Sequence, residues 1–248
     1  MDMFSRSRLL LGQTGMEKLA KSHVVLLGLG GVGGYTAEAL ARSGIGKLTL
    51  VDHDTVAETN LNRQVVATRD TLEMKKVEAM AQRIRSIRPD MELELLDQFF
   101  LPDQPLPALE TADYVVDAID TVAAKVELAC RCEAAGIPLI AAMGCGNKLS
   151  PMGFTVTDIY KTEGCPLCKA MRRELKKRNV RHLKVVYSPD PPDPREEPED
   201  IMDDARGKRS VAGSLAYVVG VAGLMLAWQV VTDLTEGLRP GQIQEDSE

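Results

Sequence analysis

The chain has 248 residues and 44% hydrophobic content, which suits a globular protein with one large core or a core plus an appended lobe. Its five cysteines are too few for a disulfide framework, and the N-terminus lacks a signal-peptide pattern, so we expect a cytoplasmic protein. The net charge of −6 hides a basic run at 169–184 and an acidic, proline-rich run at 188–204.

Apolar runs of strand length alternate with helical patterns along the chain. This alternation predicts an α/β fold with a doubly wound, mostly parallel Rossmann-like sheet and a smaller C-terminal α+β extension. We expect residues 1–160 to form the nucleotide-binding part and residues 161–248 to complete the same domain. Strands are predicted near 23–28, 47–52, 92–97, 113–119, 137–142, 153–158 and 183–187. Helices are predicted near 9–20, 31–43, 71–88 and 121–135, with a basic helix between the last two strands.

A glycine-rich motif separates the first strand from the first long helix. Gly28, Gly30, Gly31 and Gly33 form G-x-G-G-x-G. Glycine lets the backbone approach phosphate closely, and the helix N-terminus offers free N–H groups. Asp52 ends the second strand, where a carboxylate for ribose hydroxyls is expected. The motif therefore predicts a nucleotide site.

The residues after Asp52 distinguish between nucleotides. A Rossmann dehydrogenase is one interpretation of the glycine motif, but hydride transfer needs little positive charge beside the phosphates. The cations and amide donors that suit the triphosphate of ATP are instead supplied by Asn60, Asn62, Arg63 and Gln64, with Lys76 further along the chain. Because the chain has no G-x-x-x-x-G-K-[ST] loop, we do not expect P-loop chemistry.

Three segments resemble the ubiquitin-activating-enzyme-like adenylyltransferases: GLGGVGGYTAEALARSGIGKLTLVDHD, TNLNRQ with a later KVE, and DAID. This resemblance implies ATP and Mg²⁺ as cofactors, acyl-adenylate chemistry and a homodimer. It implies that Asp120 holds the metal and that Arg6 reaches the site from the partner subunit. The implied nucleotide-binding residues are Gly28, Gly30, Gly31, Gly33, Asp52, Asp54, Asn60, Arg63 and Lys76. The implied catalytic residues are Arg6, Asn60, Arg63, Lys76 and Asp120.

The later part of the chain resembles one branch of that family. DAIDTVAAK and PLIAAMGCGNKLSPMGFTVTDIYKTEGCPLCKAMRRELKK are similar to the tRNA threonylcarbamoyladenosine dehydratases, which use ATP to close the side chain of a modified adenosine into a ring. A first alternative is an adenylyltransferase for a sulfur-carrier protein. Such enzymes often carry a zinc site of two cysteine pairs, whereas only Cys165 and Cys168 form a pair here, so zinc is not expected. A second alternative, a nucleotide-sensing scaffold, would lack the cationic set.

Two charged segments have competing interpretations. The basic helix suits RNA phosphates, and we expect tRNA contacts from Arg172, Arg173, Lys176 and Lys177; the alternative is a solvated surface helix. The acidic run is interpreted as a mobile flap or as a spacer. A sulfur-relay protein is a further partner that the resemblance leaves open.

Residues 210–232 contain no charged side chain and are rich in small residues. This length could span a bilayer, but an all-apolar helix is equally suited to a core or a dimer interface. We favour the core or dimer helix and expect no stable membrane insertion, with peripheral membrane association left open.

Two positions do not fit a simple assignment. The family often has glycine near position 73, where this chain has Glu73, which puts the local turn and the presentation of Lys76 in doubt. Lys125 matches the dehydratase branch, but the sequence gives it no role.

Overall fold

The computed structural model describes residues 2–194, 196 and 212–240. Most of the acidic, proline-rich run, with the predicted flap, lies outside the described residues. Within them the helices are α1 (Ser5–Lys21), α2 (Gly33–Ser43), α3 (Lys76–Ile87), α4 (Val122–Ala135), α5 (Pro166–Lys177) and α6 (Ala216–Leu234). The strands are β1 (His23–Leu27), β2 (Lys47–Val51), β3 (Glu92–Leu96), β4 (Tyr114–Asp117), β5 (Leu139–Ala142), β6 (Thr155–Asp158) and β7 (Lys184–Tyr187).

The described strands form a single sheet in the order β3-β2-β1-β4-β5-β7-β6. Neighbouring strands run parallel except β6, which pairs antiparallel with β7. The order reverses between β1 and β4, and in such sheets ligands bind at the carboxyl ends of the strands beside this reversal. The predicted doubly wound α/β fold is therefore confirmed.

The core lies on both faces of the sheet. Along β1, Val24 and Leu26 pack with one buried cluster while Val25 and Leu27 pack with another, because successive strand residues point to opposite faces. Helices α2, α3 and α6 contribute to the first cluster, and α4 contributes to the second. Helix α5 packs with β5 and β7 in a third cluster on the α4 side.

The sequence predicted the starts of two helices less accurately than the positions of the strands. Helix α1 begins at Ser5 rather than near residue 9, and it changes direction at Gly12, which has φ 71° and ψ 172°. Helix α3 begins only at Lys76, because residues 69–71 form a short 3₁₀ helix and Glu73 has a left-handed φ of 64°. The helix predicted from residue 71 was therefore too long at its start.

Helix α6 is the one described helix that could cross a membrane by length and composition. Its small-residue side packs against α2: a Cβ added to Gly223 would lie 2.4 Å from the Val32 carbonyl oxygen, and one on Gly220 would lie 3.5 Å from the Tyr35 ring. Thr36 also donates a hydrogen bond to the Gly223 carbonyl at 3.0 Å. This side of the helix is thus core within one chain. The opposite side leaves Tyr217, Leu224 and Trp228 exposed.

Candidate active site at the carboxyl edge of the sheet

The glycine motif forms a tight loop beside the strand-order reversal. Gly28 has a φ of 88°, and a Cβ there would lie 2.6 Å from the Ala118 carbonyl oxygen. A Cβ on Gly33 would lie 1.8 Å from the Gly28 carbonyl oxygen. These two contacts require glycine and hold the loop against the turn after β4. Gly31 faces Val219 of α6, while a Cβ on Gly30 would have only the Gln64 amide within 4 Å, so the loop is open at Gly30.

Asp52 is buried at the end of β2 and is fixed by backbone groups. Its Oδ2 accepts a hydrogen bond from the Leu29 N–H at 2.6 Å, and its Oδ1 accepts one from the Asp54 N–H at 2.8 Å. The carboxylate is therefore held beside the glycine loop. This is the position that a ribose-binding carboxylate needs.

Lys76 and Asp54, both predicted nucleotide-binding residues, form an ion pair. The Lys76 Nζ lies 2.8 Å from Asp54 Oδ2, and its side chain is only 7% exposed. The Lys76 N–H also donates to the Asp54 carbonyl at 2.9 Å. The lysine is thus anchored at the carboxyl edge by the residue that follows the Asp52 turn.

The turn before Lys76 takes a conformation typical of glycine although glycine is absent. Glu73 takes a φ of 64°, a conformation that favours glycine, and its N–H donates to the Val56 carbonyl at 2.9 Å. The doubt that Glu73 raised about the presentation of Lys76 is therefore removed. The cost is local, at about 1–2 kcal/mol for a left-handed residue with a side chain.

Arg63 is the half-buried cation of the TNLNRQ segment. Its guanidinium donates to the Thr59 carbonyl at 2.8 Å and to Asn62 Oδ1 at 2.9 Å, and burial lowers its pKa. Among the described residues no carboxylate lies within ion-pair distance of it. Asn60 is buried, and its Oδ1 accepts from the Ala57 N–H at 3.1 Å, which shapes the turn that carries Arg63.

Gln64 belongs to the TNLNRQ segment that favours ATP in the sequence, but it was not among the predicted site residues. It is 7% exposed, its Oε1 has no hydrogen-bond partner in the described structure, and its amide nitrogen faces Gly30. A buried amide oxygen without a partner is costly, which makes Gln64, beside the open part of the loop, a candidate ligand contact. Its place directly after Arg63 was the available signal.

The DAID turn after β4 is held by a buried ion pair. Lys125 is fully buried, with Nζ 3.0 Å from Asp117 Oδ2 and 3.1 Å from the Ile119 carbonyl oxygen. Burial raises the pKa of Asp117, and Lys125 opposes that rise. The Ile119 N–H donates to Asp117 Oδ1 at 3.0 Å. The structure therefore assigns Lys125 a role that the sequence could not indicate: it fixes the turn.

Asp120 lies exposed at the end of that turn. Its Oδ1 accepts a hydrogen bond from Thr121 Oγ1 at 3.1 Å. An exposed carboxylate at the edge of a phosphate site fits Mg²⁺, which is commonly bound by one or two carboxylates together with substrate phosphates. The cluster of Asp52, His53 and Asp54 fits Mg²⁺ less well, because backbone N–H groups already bind both Asp52 oxygens and Lys76 binds Asp54.

Arg6 is not brought to this site within one chain. Phe4, two residues earlier, lies beside Gly44, where an added Cβ would be 3.6 Å from its ring, and the Arg88 guanidinium lies 5.3 Å from the ring centroid. These contacts place the start of α1 near the amino ends of β2 and β3. Since a five-residue strand spans about 17 Å, Arg6 lies at the opposite edge of the sheet from the glycine loop.

The four predicted tRNA-binding residues separate into two kinds. Arg172 is half-buried and donates hydrogen bonds to Thr162 and, more weakly, to the Ile159 carbonyl, so it ties α5 to the preceding turn. Arg173, Lys176 and Lys177 are exposed; Arg173 and Lys177 pair with Glu174, and Lys176 lies 5.8 Å from the Tyr160 ring centroid. Only these three present their charge to solvent.

A doubly wound sheet with an open glycine loop, a fixed ribose-type carboxylate and adjacent cations defines a nucleotide-binding enzyme of the adenylating class. The chain belongs to the ThiF family, which it matches over residues 4–244. The expected family resemblance is confirmed.

Comparisons with individual proteins agree with this family assignment. The chain is 38% identical to the tRNA threonylcarbamoyladenosine dehydratase of Bacillus subtilis, over 98% of each chain. It is 41% identical to the Escherichia coli enzyme of the same name, over 70% of this chain and 65% of that protein. The crystal structure of E. coli TcdA in complex with ATP matches with a TM-score of 0.83 and 32% identity, covering 94% of this chain and 93% of that one.

Proposed function

We propose that this protein is an ATP-dependent tRNA threonylcarbamoyladenosine dehydratase. It closes the side chain of the modified adenosine, next to the tRNA anticodon, into a ring through an acyl-adenylate. The near-complete match to dehydratases and the ATP complex of TcdA support this function over activation of a sulfur-carrier protein. Because the substrate is tRNA, we expect the enzyme to act in the cytoplasm.

The observation that carries the proposal is the turn that contains Arg63 and Gln64, because Gln64 lies beside the open part of the glycine loop at Gly30. Arg63 lacks a carboxylate partner in the described structure, and Gln64 has its amide nitrogen beside Gly30 and a buried amide oxygen without a partner. A cation that is held in place but not neutralised is suited to charge that develops in a transition state. The α-phosphate of ATP gains such charge when a carboxylate attacks it.

The reaction has two steps. The carboxylate of the threonylcarbamoyl group attacks the α-phosphate, which forms an acyl-adenylate and releases pyrophosphate. A nucleophile within the same side chain then attacks the activated carbonyl, and AMP leaves as the ring closes. Arg63 and Lys76 stabilise the phosphate oxygens, Asn60 supports the Arg63 turn, and Asp52 orients the ribose. Because the substrate supplies its own nucleophile, no enzyme nucleophile is needed.

Asp120 would hold Mg²⁺ together with the phosphates. The bound ion would supply positive charge to the phosphate oxygens during the first step. The protein contributes the position of the carboxylate, which the Asp117–Lys125 pair fixes through the turn that both residues bind.

The tRNA is bound, in this proposal, along α5. This helix starts at the carboxyl edge, since a Cβ on Gly144, just past β5, would lie 3.7 Å from the Cys165 sulfur. Its exposed cations Arg173, Lys176 and Lys177 are suited to phosphates. Arg172 instead holds the helix in place.

The enzyme acts as a homodimer in this proposal. One side of α6 carries three exposed apolar residues, since Leu224 and Trp228 follow Tyr217 by seven and eleven residues. A second copy covering this apolar side would also account for Arg6, which cannot reach the site of its own chain but could reach that of its partner.

The proposal is tested by replacing Arg63. Arg63→Ala should reduce tRNA-dependent AMP formation ~10²–10³-fold, the usual loss when one electrostatic stabiliser is removed. Arg69→Ala is the matched control, because Arg69 is exposed, lies on the same segment and pairs with Glu58. Near wild-type turnover of Arg63→Ala, or an equal loss in Arg69→Ala, would contradict the assigned role.

A further inference from the structure

Two cysteines meet at the start of α5, outside the nucleotide site. Cys165 is the residue before the helix, Pro166 opens it, and Cys168 lies in its first turn. The Cys168 N–H donates a hydrogen bond to the Cys165 sulfur at 3.5 Å. Both thiols are free, and residues three apart on a helix lie on the same side. The sulfurs are therefore neighbours.

The two sulfurs have different environments. The Cys168 thiol donates a hydrogen bond to the Cys165 sulfur, and N–H groups of Cys168, Gly144 and Leu167 add to it, so the pKa of Cys165 is lowered. The pKa of Cys168 is raised by the same interaction and by burial. Cys165 keeps 8% of its surface exposed, whereas Cys168 has none. The cysteine that is better stabilised as a thiolate is thus also the more exposed residue.

The other cysteines lack these features. Burial raises the pKa of Cys132 and of Cys145 to about 12, and it also raises that of Cys130. Cys130 and Cys132 lie two apart on α4, so they do not face each other. Of the five cysteines, all of which are described, only Cys165 has a stabilised thiolate, and Cys168 is the thiol that is hydrogen-bonded to it.

We propose that Cys165 and Cys168 form a peroxide-reactive dithiol that closes reversibly to an intrachain disulfide. The Cys165 thiolate attacks one oxygen of a hydroperoxide; the O–O bond breaks, and the sulfur is oxidised to a sulfenic acid while an alkoxide or hydroxide leaves. The Cys168 thiol then gives up its proton, its sulfur attacks Cys165, and water is released as the disulfide forms. Thiolates beside a second cysteine follow this route of oxidation.

The test treats the intact protein with hydrogen peroxide and maps the thiols by mass spectrometry of non-reduced digests. A Cys165–Cys168 disulfide should form and be removed by dithiothreitol, with Cys165 reacting ~10-fold faster than Cys130 because reactivity follows the thiolate fraction. In Cys168→Ser, Cys165 should stop at a sulfenic acid that a dimedone probe captures. The double variant Cys130→Ser/Cys132→Ser is the matched control and should form the disulfide normally.

Two results would overturn the proposal. One is that Cys165 and Cys168 stay reduced while Cys130 is oxidised. The other is that Cys168 reacts with peroxide as fast in Cys165→Ser as in the wild type, which would mean that Cys165 does not initiate the reaction. Because all readouts follow thiol chemistry, they do not depend on dehydratase activity.

Discussion

At the scale of single residues, the buried pair of Lys125 and Asp117 links stability to the site. Both side chains are fully buried, and together they determine the turn that ends in Asp120. Removing one partner of a buried ion pair leaves the other charge uncompensated, which commonly costs more than the pair contributes.

Lys125→Met should lower the free energy of unfolding by ~3–5 kcal/mol at neutral pH. Lys21→Met, which changes an exposed lysine, should stay within ~0.5 kcal/mol of the wild type. Denaturant unfolding measures both.

Burial raises the folded-state pKa of Asp117 above its ordinary 3.8. Its contribution to stability is therefore full below pH 3.8 and is lost as the pH rises through the higher folded-state value. In Lys125→Met the rise of the Asp117 pKa should be larger. The stability difference between the wild type and Lys125→Met should therefore shrink on acidification; a difference that grows would contradict this account.

Glu73 makes a second prediction at this scale. Glu73→Gly should stabilise the protein by up to ~1 kcal/mol, because glycine takes the left-handed conformation without strain. Glu78→Gly is the matched control: Glu78 is exposed within α3, so the same change there should destabilise by ~1 kcal/mol. Melting curves of the two variants should shift in opposite directions, and a loss of stability in both would argue against strain at Glu73.

Some of these residues could be predicted from sequence and others could not. Asp52 ends a predicted strand and Arg63 belongs to a motif of fixed spacing, so the sequence could predict that both lie near the glycine loop. The roles of Lys125, Arg172 and Gln64 depend on contacts or on missing partners that only packing reveals. The site assignments themselves remain predictions until the variants are measured.

At the scale of secondary structure, α5 combines a buried side with a basic one. Met171 and Leu175 pack in the core beneath it, and Arg172 holds the turn at Thr162. The basic run is therefore not uniform: one of its cations has a structural contact, and the exposed ones remain candidates for RNA.

Charge reversal at Arg173, Lys176 and Lys177 should weaken tRNA binding. It should also reduce the slope of log affinity against log salt concentration by ~0.7–0.9 for each phosphate that is no longer neutralised. Arg172→Ala should instead lower stability by ~1–3 kcal/mol, because its carbonyl partners lose a donor. Filter binding over a salt series and denaturant unfolding separate the two effects. Unchanged tRNA affinity of the triple variant at low salt would make this side of α5 a solvated surface.

At the scale of the whole molecule, the alternation of strands and helices predicted the sheet correctly, because crossover connections leave few arrangements. Which edge carries the start of α1 could not be predicted, since it depends on Phe4 packing beside Gly44. That placement separates Arg6 from the glycine loop and motivates the proposed dimer.

Trp228→Glu should convert the proposed dimer to a monomer, because it puts a charge in the apolar side of α6. Leu101→Glu is the control, since Leu101 is also an exposed apolar residue but lies after β3. Light scattering reports the mass of each variant, and AMP formation should fall with dimer content if Arg6 acts across the interface. A wild-type monomer, or a Trp228→Glu dimer, would contradict this assembly.

The most direct test of the central claim uses the substrate itself. The purified protein is incubated with ATP and with tRNA from cells that lack the enzyme, and the modified nucleoside is analysed by mass spectrometry. The proposed function predicts that the threonylcarbamoyl nucleoside loses one water, only when ATP is present, with AMP and pyrophosphate formed in equal amount. The proposed function would be contradicted if the nucleoside stays unchanged while a dehydratase of known activity converts the same tRNA in parallel. Adenylation only when a sulfur-carrier protein is supplied would also contradict it.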